Sequence, residues 1–300
     1  MTDRALAATL PTYVLTLVCP DRAGIVHAVT GVLVEQHGNI LESQQFDDLA
    51  EDRFFMRVTF AVDRPDEPSA SGGPEPLAAL RAAFAPVAGR FEMTWDLWEA
   101  TAPYRTLIMV SKFSHCLNDL LFRWSNGSLQ IDVVGVVSNH PDCEALTKSY
   151  GVPYHHIPVT PDTKAAAEAE MLELADALRV DLVVLARYMQ VLSNDTCRAL
   201  SGRAINIHHS FLPSFKGARP YHQAFDRGVK LVGATAHFVT ADLDEGPIIE
   251  QDVMRVNHGY DAAELAAAGR DVESQVLSRA VRWHSESRVL LNGHKTVVFR

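Results

Sequence analysis

The chain has 300 residues, 47% apolar and 21% charged, with a formal net charge of −10. That length suits two domains of ordinary size with sizeable cores. Seven arginines, no lysine and fifteen acidic residues put −8 of the charge on residues 1–100, which argues against a nucleic-acid partner, since that needs a basic footprint. No apolar run approaches the ~20 residues of a membrane helix, and residues 1–10 lack the basic start and apolar stretch of a secretory signal. Four scattered cysteines (Cys19, Cys116, Cys143, Cys197) form no CxxC pair, so a cytoplasmic protein with reduced thiols and no membrane partner is expected.

In chain order, residues 13–18 read as a strand and Cys19-Pro-Asp21-Arg22-Ala-Gly24 as a turn. Ile25, Val29, Val32 and Leu33 then recur at helical spacing up to a stop at Gly38. Residues 39–46 alternate as a second strand and 53–62 form a third. Residues 65–76, with four prolines and two glycines, make a loop. A second helix at 77–88 and a fourth strand at 91–98 complete the order βαββαβ, a ferredoxin-like sheet with two helices on one face. Strand, Asp-Arg-x-Gly turn, helix and Gly-Asn-Ile strand together resemble an ACT domain, here at residues 10–100. The resemblance implies a homo-oligomer formed through this domain and an amino-acid effector, methionine or glycine, held at Asp21, Arg22 and Gly24. The residues alone fit a plain helix entry equally, Asp suiting a cap and Gly a tight backbone.

From residue 104 onward, apolar strands at 105–110, 131–137, 152–157 and 181–186 alternate with helices at 114–124, 142–150 and 163–178. Ser114 suits the cap of the first. The wholly apolar strand 181–186 is what a parallel sheet covered on both faces requires. Further strands at 232–239 and 248–256, a long helix at 261–284 and a hairpin at 289–299 follow. The reading is α/β throughout: the ACT domain, then a doubly wound, Rossmann-like domain over 104–300 that binds ligands beyond the carboxyl ends of its strands.

At such an end lies Arg203-Ala-Ile-Asn206-Ile-His208, alternating apolar and polar until Pro213 and Gly217 open a loop. Asn206 and His208, two apart on a strand, project from one face. Asp244 follows in Asp242-Leu243-Asp244-Glu245-Gly246-Pro247. An amide donor, an imidazole and a carboxylate suit attack on a carbonyl carbon: two donors stabilise the developing oxyanion, and the carboxylate orients the imidazole and accepts a proton.

Residues 203–217, Gly233-Ala-Thr-Ala-His237 and Leu243-Asp244-Glu-Gly-Pro-Ile-Ile-Glu-Gln251 together resemble the formyltransferase family that uses 10-formyltetrahydrofolate, over most of 104–260. The resemblance puts the catalytic trio on Asn206, His208 and Asp244. It puts the folate pocket on Met189, Gln190, Val191 and Leu192 and on Thr240, Ala241 and Leu243. Family members that formylate a phosphorylated amine cradle its phosphate in a glycine-rich loop after the first strand. Here that loop reads Ser111-Lys-Phe-Ser-His115-Cys116, without glycine, and little chain follows for a tRNA-recognising extension. An ACT domain joined to this domain resembles the formyltetrahydrofolate deformylase branch, in which water accepts the formyl group. The resemblance implies hydrolysis of 10-formyltetrahydrofolate to formate and tetrahydrofolate, within one-carbon metabolism and purine biosynthesis, with neither cofactor nor metal. The alternative is formyl transfer to an amine.

Other residues weigh less. His208-His209 and His155-His156, as strand neighbours, point opposite ways and make poor metal pairs. No GxSxG elbow surrounds Ser210, which reads as a loop hydrogen-bonder. His115-Cys116 offers a thiol without an evident third orienting group. Lys216 could meet the acidic tail of the folate or lie on the surface.

Overall fold

The structure, a computed structural model, describes residues 10–63, 76–213 and 220–300, which fall into two units by their internal contacts. The first takes the chain up to Ala102 with Glu286–Leu290 and Val297–Arg300; the second takes Pro103–Ser285 with Leu291–Thr296. Most of the proline-rich stretch read as a loop, residues 65–75, and also Lys216 and Gly217, lie outside the described residues.

The first unit runs β1 (Thr12–Pro20), α1 (Ile25–Glu35), β2 (Gly38–Asp48), β3 (Arg53–Val62), α2 (Pro76–Arg90) and β4 (Thr94–Glu99). Its antiparallel sheet has the order β2-β3-β1-β4, the ferredoxin-like arrangement that the sequence predicts. Alternation along the strands turns Leu15, Leu17, Met56, Val58 and Phe60 to the helix side, where they pack on Val29, Leu33, Leu80 and Phe84. Val18 and Phe55 face the other way and pack with Leu290 and Phe299 from the end of the chain. Buried Arg57 donates to the Glu286 carbonyl at 3.0 Å and pairs with Glu42 at 2.6 Å. At the entry to α1 the cap position falls on Gly24, at φ 96°, with no side-chain cap bond. Glycine's freedom at positive φ makes that turn, and Asp21 does not cap it. Arg22 pairs with Glu92 at 2.5 Å on the surface.

The second unit runs β5 (Tyr104–Val110), α3 (His115–Ser125), β6 (Ile131–Ser138), α4 (Glu144–Ser149), β7 (Tyr154–His156), α5 (Lys164–Ala177), β8 (Leu182–Leu185), α6 (Asn194–Ala199), β9 (Ala204–His208), α7 (Pro220–Asp226), β10 (Leu231–Phe238), β11 (Ile248–Arg255) and α8 (Ala262–Ser285). A two-stranded ribbon, β12 (Val289–Asn292) with β13 (Lys295–Val298), ends the chain. The main sheet has the order β11-β10-β9-β8-β5-β6-β7. Strands β9, β8, β5, β6 and β7 are mutually parallel, whereas β10 runs against both its neighbours, so the sheet is mixed. Ser114 sits at the cap of α3 without a side-chain cap bond; it is Ser193, before α6, whose side chain accepts from the Thr196 N–H. The doubly wound order leaves a crevice past the carboxyl ends of β8 and β9, where such folds bind ligands.

Candidate active site

A cavity of about 500 Å³ opens there, lined from the segment after β8, the end of β9, the end of β10 and the turn before β11. Asn206, His208 and Asp244 all line it, together with Met189, Gln190, Val191, Leu192, Thr240, Ala241 and Leu243. Every residue that the resemblance assigns to chemistry or folate is therefore gathered in one place. Asp21, Arg22 and Gly24 sit together at the β1–α1 turn of the other unit.

Asn206 and His208 share a face of β9, and the β9–β10 register sets His237 directly opposite Asn206. Asn206 Nδ2 lies 3.2 Å from His237 Nε2, and His237 Nδ1 lies 2.8 Å from the Phe238 carbonyl oxygen. A carbonyl oxygen only accepts, so Nδ1 carries the proton and Nε2 accepts from the Asn206 amide. Burial lowers the His237 pKa against the opposing pull of the Phe238 carbonyl and Asp244, which favours the neutral ring this pattern needs. Asn206 thus has its amide orientation fixed and keeps a second N–H for a ligand. His237 was part of the sequence resemblance but had no role assigned; in the structure the register of β10 shifts at Ala236/His237, a bulge of the kind that re-aims a side chain.

His208 is 5% exposed and its Nδ1 lies 3.2 Å from Asp244 Oδ1. Its other nitrogen, Nε2, makes no hydrogen bond among the described residues. Burial pulls the Asp244 carboxyl upward, but the hydrogen bond and charge of His208, with smaller contributions from the His237 and His209 rings, outweigh it and leave its pKa below the usual value. Asp244 sits in the left-handed region at φ 57°, a strained conformation of the kind found at functional sites. Gly246 lets the turn close: a Cβ there would come 1.8 Å from the Phe238 carbonyl oxygen.

Met189, Val191 and Leu243 are 52, 55 and 60% exposed at the mouth, apolar surface of the sort a flat, largely apolar ligand covers. Buried Ser111, at the end of β5, pins one of these loops. Its Oγ accepts from the Met189 N–H at 2.9 Å and donates to Asn139 Oδ1 at 2.7 Å, while its own N–H donates to the Arg187 carbonyl.

Strict alternation fails at His209. Strand β9 ends at His208, so both imidazoles line the cavity, 5.2 Å apart. Burial, then the nearby Arg187, push the His209 pKa down to about 3, so that ring is neutral. Behind it lies a set of residues with no role foreseen from sequence. Glu273, 1% exposed in α8, accepts from His115 Nε2 at 2.7 Å and from the Tyr221 hydroxyl at 2.6 Å, and faces Arg187 Nε at 3.4 Å. Burial alone would raise its carboxyl, but His115, Arg187 and Tyr221 together lower it. Cys116 has no solvent exposure and its thiol is pushed well up, by burial and then by Glu273, so it is not a thiolate nucleophile. His115, Cys116 and Glu273 bring ligand-type atoms within 4.8 Å of one another, but His115 and Glu273 are bonded to each other. Ser210 is buried and its carbonyl accepts from Thr235.

This mixed sheet and its polar trio define a formyl transferase domain carried behind an ACT domain: residues 104–281 match the formyl transferase family and 13–70 the ACT domain. The protein named formyltetrahydrofolate deformylase of Corynebacterium sp. (strain P-1) is 57% identical over 288 residues, 96% of this chain and 98% of that one. The crystal structure of formyltetrahydrofolate deformylase from Burkholderia mallei ATCC 23344 matches at a TM-score of 0.90 and 53% identity, covering 97% and 100% of the two chains. The chain belongs to the formyltetrahydrofolate deformylase family. Glycinamide ribonucleotide transformylase 1 of Symbiobacterium toebii matches a shorter stretch, 66% of this chain and 95% of its own, at 32% identity and a TM-score of 0.62. Among the described residues no helix is long and apolar enough to cross a membrane, and all four cysteines are buried and unpaired.

Proposed function

We propose that this chain hydrolyses 10-formyltetrahydrofolate to formate and tetrahydrofolate at Asn206, His208 and Asp244. The observation that carries the reading is the His208 Nδ1–Asp244 Oδ1 contact of 3.2 Å with His208 Nε2 left unpartnered beside Asn206. With Asp244 ionised, the pair supports an imidazolium whose Nε2–H, with the Asn206 N–H, meets the oxygen of the formyl group as charge develops on it. Water attacks the formyl carbon and gives up a proton to Asp244, directly or through a second water. The carbon–N10 bond breaks and N10 takes a proton. Residues 189–192, Thr240, Ala241 and Leu243 hold the folate. In this reading no cofactor or metal takes part.

The first unit serves regulation and assembly in the same reading: an amino acid, methionine or glycine, binds near Asp21, Arg22 and Gly24, copies pair through the ACT fold, and the protein works in the cytoplasm. The ACT match supports this.

The test is product analysis on 10-formyltetrahydrofolate with no amine present. Formate appearing in step with tetrahydrofolate is expected; dependence on an added amine overturns the reading.

A further inference from the structure

The network around Glu273 takes no part in the steps just described, yet one of its members lines the cavity. Arg187 lies two residues past the end of β8, is 9% exposed and sits in the left-handed region at φ 66°, a region that non-glycine residues seldom occupy. Its guanidinium lies 5.8 Å from the Phe113 ring, and among the described residues neither Nε nor Nη1 makes a hydrogen bond, although Nε faces Glu273. Buried donors left in this state need a reason. The helix behind is shaped around the arrangement: a Cβ at Gly269 would come 2.0 Å from the Tyr221 hydroxyl, so only glycine lets that hydroxyl reach Glu273. Strained backbone, a notched helix and an ionised buried carboxylate all converge on fixing one guanidinium.

With folate assigned to residues 189–192 and 240–243, the lining that remains includes His209, whose ring is 5.2 Å from that of His208, and Arg187, whose charge acts on His209. A second substrate must bring its nucleophile to about 3–3.5 Å from the formyl carbon, and along that lining it meets a clamped, bulky cation. Water needs less room beside that cation than an amine does, and an amine in its ammonium form is repelled by it. We propose that Arg187, held by Glu273, occupies the seat an amine acceptor would need and thereby restricts the nucleophile to water. The proposal rests on the hydrolase reading above. With the seat opened, the amine nitrogen forms the new bond to the formyl carbon, the carbon–N10 bond breaks, the amine's proton leaves through Asp244, N10 gains one, and a formamide departs.

The experiment is a partition measurement on the full chain. Wild type, Arg187→Gly and Arg187→Met are each given 10-formyltetrahydrofolate with and without glycinamide or hydroxylamine, and formate and formylated amine are quantified by mass spectrometry. Glycine suits the φ of this position, and Met retains most of the volume without the charge. Wild type is expected to give formate alone, Arg187→Gly to raise formylated amine over formate by about tenfold or more, the scale on which loss of a packing contact changes discrimination, and Arg187→Met, which keeps the bulk without the charge, to fall between the two. A lost cooperative melt in Arg187→Gly moves the measurement to Arg187→Gly/Glu273→Gln, which removes the orphaned carboxylate as well. A wild-type partition in every folded variant overturns the proposal, as does a Met variant that transfers as well as the Gly variant. A folded variant that releases no tetrahydrofolate also overturns it, because Arg187 then belongs to the chemistry itself. Failure of wild type to release formate without amine would instead count against the hydrolase reading.

Discussion

Among the loops proposed to hold folate, Met189, Val191 and Leu243 are more than half exposed, whereas Arg187, which also lines the cavity, and Glu273 behind it are 9 and 1% exposed. The first side waits for its partner: its apolar surface is covered only when a ligand arrives, and affinity comes from that burial. The second side is already complete. Its charges answer one another within the protein and its geometry is fixed before any ligand binds. Between them, Asn206 and His208 are oriented by His237 and Asp244 but keep an N–H and an Nε2 for the substrate. In the proposed reading one side sets which donor is bound, and the other which nucleophile can enter.

That contrast can be broken from either side. The largest effect is expected at the centre: Asp244→Asn removes both the negative charge that supports the His208 imidazolium and the base that takes the proton from water, and turnover should fall roughly 10⁴-fold while folate binding, read by fluorescence quenching, survives. Near-normal turnover would remove Asp244 from the mechanism. On the sealed wall, Glu273→Ala leaves Arg187 and His115 without their carboxylate and should lower stability by about 3–5 kcal/mol in urea unfolding; an unchanged midpoint would mean the network is not clamped. On the open wall, Val191→Ser or Leu243→Ser should raise KM by about tenfold with kcat little changed, since ~1.4 kcal/mol of ligand-covered apolar area is lost. A fall in kcat alone would place these side chains in the chemistry instead.

The smallest effect concerns pH. His209 has a folded pKa of about 3 against an ordinary 6.5, so as pH falls below 6.5 the unfolded chain takes up a proton that the folded chain refuses. Stability is thereby lost with acidification through that window. In His209→Gln the urea midpoint should decline less steeply on the acid side of 6.5 than in wild type. Parallel slopes would show that this ring is not held neutral.

Much of the central trio was legible. Period-two alternation placed Asn206 and His208 on one face, and the resemblance carried by the ordered motifs around them brought in Asp244 and the two loops that line the same cavity. The reversed direction of β10 was not legible, because residue pattern marks a strand but not its sense, and only the register sets His237 opposite Asn206. No local pattern singled out Arg187. Glu273 did carry a signal that went unused: it lies at helical spacing with Gly269, Val276, Leu277 and Ala280, all buried, and an acid on an apolar stripe needs a partner. The return of Leu290 and Phe299 to the first unit is a long-range contact that no local pattern announces. It also means that removing residues 1–100 would strip those side chains of their packing, so Arg22→Ala in the full chain is the cleaner probe of an effector.

The central claim, that water poised at Asn206, His208 and Asp244 takes the formyl group, is tested most directly by one turnover of 10-formyltetrahydrofolate in oxygen-18 water. The account predicts one labelled oxygen in each formate and one formate for each tetrahydrofolate. Unlabelled formate, or formyl carbon recovered on an amine, would contradict it.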